Sequence, residues 1–88
     1  MKKIILDHIK CFNVRNQEVE IEEKNFFLAN VVHVEGSVRV CDIGKTLYEK
    51  GEAEVSNEQF QEIIHLMAAT NNLLPLLKRA AVKYLQSL

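Results

Sequence analysis

The apolar and polar positions around residue 56 give the clearest pattern in the chain. Ser56, with Gln59 three residues on, forms a capping box in which each side chain can satisfy a backbone N–H that a new helix leaves unpaired. Val55 before the cap and Phe60 after it are placed for a hydrophobic staple. Phe60, Ile63, Ile64 and Met67 then fall on one helical face. The spacing predicts a helix over 56–69, broken by Thr70-Asn-Asn72.

Upstream the periods are shorter. Residues 2–12 read as a strand: Ile5, Ile9 and Cys11 alternate with Asp7 and Lys10, although Leu6 and Phe12 interrupt the alternation. Asn13-Val-Arg-Asn16 is turn chemistry. Residues 17–22 alternate cleanly, Val19 and Ile21 against Glu18, Glu20 and Glu22. Together they predict an N-terminal β-hairpin with one wet face. Residues 25–43 admit two readings. The β-branched residues of 25–34 and 37–41 suit a second hairpin. The helical reading is a helix over 25–34, a break at Gly36 and a helix over 38–50. Val40, Ile43 and Leu47 then share one face, and Asp42, Lys45 and Glu49 the other. Gly51 sits where a helix C′ glycine belongs. We take the helical reading. Gly44 lies beside the apolar face of that helix, where a close backbone approach would account for it. Glu52-Ala-Glu-Val55 has a period of two and can add a third short strand to the hairpin.

The last helix is expected from Leu74-Pro75 to the end of the chain, since proline is tolerated in a first turn. Leu73, Leu77, Ala81, Tyr84 and Leu88 form its central stripe. Leu74 and Leu85 widen one flank and Ala80 the other, with Leu76 and Val82 further out. Arg79, Lys83 and Gln86 take the opposite face. The apolar arc exceeds the ~100° that a surface helix needs to reach its own core. Leu74, Leu76, Val82 and Leu85 are therefore the candidate partner interface. The competing reading is that the hairpin and the 38–50 helix cover both flanks. The whole reads as one α+β domain over 1–88. It has an N-terminal β-hairpin, an optional third strand and three to four helices, and it ends in an αα-hairpin.

Composition narrows the class. The 88 residues are 48% hydrophobic and 26% charged, with one proline and three glycines. That describes an ordered domain, and one that buries only roughly 60–65% of its unfolded surface. The net charge of −1 gives no global field for nucleic acid or an acidic membrane. Residues 49–62 carry Glu49, Glu52, Glu54, Glu58 and Glu62 against Lys50 alone, whereas 63–88 carry Lys78, Arg79 and Lys83 and no acid. Two cysteines make no disulfide scaffold. No apolar run suits a signal peptide or a membrane span, so a cytoplasmic, reducing setting with free thiols is expected.

Candidate chemistry is thin. Gly44-Lys45-Thr46 resembles the tail of a phosphate loop, but Arg39 stands where that motif needs glycine. His8, Cys11, His33 and Cys41 are possible zinc ligands. The pair His8 and Cys11 is tolerably spaced, but His33 and Cys41 lie across a glycine break. No local signature supports a cysteine nucleophile, and His65 falls opposite Phe60 and Met67, on the solvent side. Neither a metal, a cofactor nor an enzyme is expected. Lys78, Arg79 and Lys83 are the candidate nucleic-acid contacts. The segment before them, Leu73-Leu74-Pro75-Leu76-Leu77, is a packing sequence rather than a base reader.

The run from Ile43 to Ile64, with Leu73-Leu-Pro-Leu-Leu77 after it, resembles a recurrent type of small phage- and prophage-encoded protein. The likeness covers roughly residues 25–88 and also favours helix over 25–50, although Val31-Val-His-Val34 is more strand-like than that pattern. It carries no functional residues. It implies a mobile-element origin and an accessory, assembly or host-directed role. The expected function is a non-enzymatic protein–protein interaction module, with a protein partner or self-association. The alternative is a small nucleic-acid-binding regulator.

Overall fold

The computed structural model describes residues 1–88. The chain runs β1 (Lys2–Ile5), a 3-10 turn (Leu6–His8), β2 (Cys11–Phe12), β3 (Glu18–Val19), α1 (Lys24–Glu35), α2 (Cys41–Lys50), β4 (Glu52–Val55), α3 (Asn57–Ala69) and α4 (Pro75–Gln86). It is an α+β fold of four helices and two separate antiparallel strand pairs, β1 with β4 and β2 with β3.

The N-terminal hairpin is shorter than the alternation predicts. Only Cys11–Phe12 and Glu18–Val19 pair, joined by the expected turn. The Asn13 side-chain oxygen accepts the N–H groups of Arg15 and Gln17, and Asn16 takes a left-handed φ of 64°. Strand 2–12 does not form as one piece, and the reason lies in the residues that interrupted its alternation. In an unbroken strand Ile4 and Leu6 would face one side, Ile9 and Cys11 the other. The 3-10 turn shifts the phase, so that all four are at most 2% exposed. The inward face therefore carries Ile4 and Leu6, while Ile5 is half-buried. Freed from the hairpin, Lys2–Ile5 pairs with Glu52–Val55 in the register Lys2 to Val55 and Ile5 to Glu52. The third strand thus exists, but it joins β1 and not the hairpin.

The uncertain middle is helical. Leu28, Ala29, Val31 and Val32 of α1 are buried. The expected helix over 38–50 begins at Cys41 instead, because Ser37–Val40 forms a turn. The Ser37 carbonyl accepts the N–H groups of both Val40 and Cys41, at 3.0 and 2.9 Å. The Ser37 N–H and hydroxyl both donate to Glu62 on α3, at 2.9 Å each. Gly44 is where α1 and α2 touch. A Cβ there would lie 2.7 Å from the Ala29 carbonyl oxygen and 2.8 Å from the His33 Cα. The close approach inferred from the sequence is therefore present. Gly51 ends α2 at φ 74°, a conformation that a side chain disfavours.

The capping box on α3 is complete: Gln59 N–H donates to Ser56 Oγ at 3.2 Å, and Ser56 N–H to Gln59 Oε1 at 2.9 Å. The staple residues Val55 and Phe60 are both buried. Thr70 ends the helix. Its hydroxyl is buried, donates to Glu35 Oε2 at 2.7 Å and accepts the Asn72 N–H at 3.0 Å. The αα-hairpin closes with α4, which stops at Gln86 and buries Leu77, Ala81 and Leu85. Leu88, expected in its stripe, lies past the helix end and is exposed.

Candidate functional site

The residues that could have carried chemistry are dispersed. His8 is exposed and stands edge-on to Tyr84. Cys11 is in the core, where burial pushes its thiol pKa up against the opposing charge of Lys24. His33 Nδ1 lies 2.9 Å from the Cys41 carbonyl oxygen. Only an N–H can bond a carbonyl, so this nitrogen carries the proton, and the ring engages the backbone of Cys41 and not its thiol. No three His, Cys, Asp or Glu side chains gather closely enough to share a cation. Gly44-Lys45-Thr46 lies inside α2, with the Thr46 hydroxyl donating to the Asp42 carbonyl at 3.2 Å, so its N–H groups cannot cradle a phosphate.

The interface candidates on α4 separate into three groups. Leu74 is 60% exposed. Leu76 and Val82 are half-buried against the core. Leu85 is 1% exposed and belongs to the core, so it cannot meet a partner. The elements packed around α4 use more of its wide apolar arc than a free surface would leave.

What α4 lacks, α1 and α2 supply. Phe26 and Phe27 fall outside the buried arc of α1 and are 40% and 41% exposed, and Tyr48 on α2 is 60% exposed. Phe26 meets Phe27 edge-to-face at 5.3 Å between centroids, and Tyr48 in the same manner at 5.9 Å. Phe27 also lines a groove of ≈ 480 Å³ with Ile21, Leu73, Leu74 and Pro75. An aromatic strip thus runs from Tyr48 across Phe26 and Phe27 to Leu74. Beside it, between α1 and α2, lies a hollow of ≈ 220 Å³ over Ala29 and Gly44, rimmed by Asn30, His33 and Lys45. That is smaller than the roughly 300–1,000 Å³ of small-molecule sites, and of a size to take one side chain. The adjacent phenylalanines are the signal that sequence reading missed. At ~100° per residue the buried Leu28, Ala29, Val31 and Val32 define one arc of α1, and positions 26 and 27 fall to either side of it.

The cationic candidates do come together. Lys78, Arg79 and Lys83 line a shallow groove between α3 and α4, with Ala68, Val82 and Gln86. Lys78 is half-buried, and Arg79 and Lys83 are exposed. The ion pairs of the protein, Lys3–Glu52, Lys10–Glu18 and Arg39–Glu58, lie elsewhere. No helix is long and apolar enough to cross a membrane. No protein family, curated protein or solved structure matches the chain.

Proposed function

We propose that the chain is a non-enzymatic protein–protein interaction module. The observation that carries this reading is the aromatic strip from Tyr48 through Phe26 and Phe27 to Leu74. Large aromatic side chains left in water are what interface cores are made of. A contiguous exposed apolar patch marks a contact surface more often than it marks a neutral one. Leu76 and Val82 extend the apolar area along α4 without dominating it. The mobile-element setting, with its accessory or host-directed role, rests on the resemblance of residues 25–88 alone.

The test is a Phe27→Ser, Leu74→Ser variant, checked by circular dichroism for an unchanged fold. Light scattering across protein concentration and co-purification from the native cell then report self-association and partners. Loss of the associated species supports the reading. A wild type that stays monomeric and brings down nothing removes it, as does a folded variant that keeps full biological activity. A nucleic-acid-binding regulator is the second reading, supported by Lys78, Arg79 and Lys83 sharing one groove.

A further inference from the structure

The groove between α3 and α4 differs in character from the aromatic strip. Its walls hold three cations, Lys78, Arg79 and Lys83, and no carboxylate. From Ile63 to Leu88 the sequence has no acidic side chain at all. No hydrogen bond or ion pair within the protein engages the side chain of any of the three, so their charges are free for something outside it. The floor is apolar, made by Ala68 and the half-buried Val82, and the stems of lysine and arginine add to such a floor. An apolar floor with a charged rim of one sign is the arrangement that meets an amphipathic segment of opposite sign. We propose that this groove docks an acidic amphipathic helix of a partner protein, its aliphatic residues on Ala68 and Val82 and its carboxylates on Lys78, Arg79 and Lys83.

Charge complementarity selects the occupant, and shape agrees with it. The lining follows α4 from Lys78 to Gln86 with Ala68 of α3 beside it, a setting for the helix-in-groove mode of peptide recognition. A phosphate backbone would use the cations but not the apolar floor, and the groove has no aromatic ring on which a base could stack. The inference goes beyond the aromatic strip and does not depend on it.

The experiment is selection from a display library of random peptides of about 16 residues, ~24 Å as a helix. The selected peptides are then measured against the wild type, an Arg79→Glu, Lys83→Glu variant and a milder Arg79→Gln, Lys83→Gln variant. Both altered residues are exposed, so the fold should persist. The expected result is that selected sequences place Asp and Glu around aliphatic residues at helical spacing. Their binding should weaken by about tenfold or more in the charge-reversed variant, less in the neutralised one, and also as salt rises. A Phe27→Ser, Leu74→Ser protein should bind them unchanged, which separates failure here from failure of the aromatic-strip reading. The proposal is overturned if no peptide is selected, if those selected lack acidic excess, or if they bind the reversed variant equally well. It is also overturned if a short duplex DNA occupies the groove in their place with a steep salt dependence, or if a second copy of the chain does.

Discussion

The hydroxyl of Tyr84, on the last helix, accepts the backbone N–H of Ile5, on the first strand, at 2.9 Å. β1 has β4 on one side only, so this N–H on its outer edge has no ladder partner and takes a side chain instead. Tyr84→Phe removes the acceptor and leaves a partly buried N–H unpaired. The expected loss is about 1 kcal/mol, read as a lower urea midpoint with unchanged slope. An unaltered midpoint would mean that water replaces the hydroxyl freely.

Gly44→Ala opposes two effects. Alanine favours a helix interior by about 1 kcal/mol over glycine. The new Cβ, however, would press on the backbone of Ala29 and His33, which cannot turn aside as a side chain can. Overpacking of this kind typically costs about 1–3 kcal/mol, and separating α1 from α2 would also open the core. The net expectation is destabilisation, seen as a lower thermal midpoint.

Ser56→Ala removes one half of the capping box and should lower stability by about 1 kcal/mol. Ser56→Asp keeps an acceptor at the helix start and should restore most of it. Chemical denaturation of the three proteins checks the order.

Acid should loosen the ties that Glu35 makes to the end of α3 and that Glu62 makes to the turn at Ser37. Glu35 is held below the ordinary carboxylate value of 4.5 by Asn72 first and the Thr70 hydroxyl second. Glu62 is held below it by the Ser37 N–H and then by the Ser37 hydroxyl. Because both values fall on folding, their contribution is complete above 4.5 and is lost as pH falls through the depressed values. Urea midpoints should therefore drop from neutral pH to about pH 3. A Glu35→Gln, Glu62→Gln protein should show a shallower drop.

The two thiols should differ in reactivity. Cys11 is buried and its thiol pKa is raised, so little thiolate forms, whereas Cys41 is only half-buried. A maleimide followed by mass spectrometry should label Cys41 first, with Cys11 reacting on the timescale of unfolding.

The segments legible in the sequence were those whose signals are local. The cap at Ser56, the turn at Asn13–Asn16, the C′ glycine at Gly51 and the buried faces of α3 and α4 each depend on residues a few positions apart. The partner of β1 was not legible, because nothing in Lys2–Ile5 records that Glu52–Val55 will lie beside it. The start of α2 was misplaced for a similar reason: Ser37 is held in a turn by Glu62, a residue on a different helix. At the candidate sites, the joining of Lys78, Arg79 and Lys83 in one groove follows from helical spacing. The exposure of Phe26 and Tyr48 depends on which helices pack where, which periodicity along one helix does not contain.

The pairing of β1 with β4 also bears on how the chain is made. β1 is translated before β4, with the hairpin and two helices made in between. Throughout that interval it is an unpaired β segment, open to association with other nascent chains. Lys2 and Lys3, its first two residues, stand where charge discourages such premature pairing.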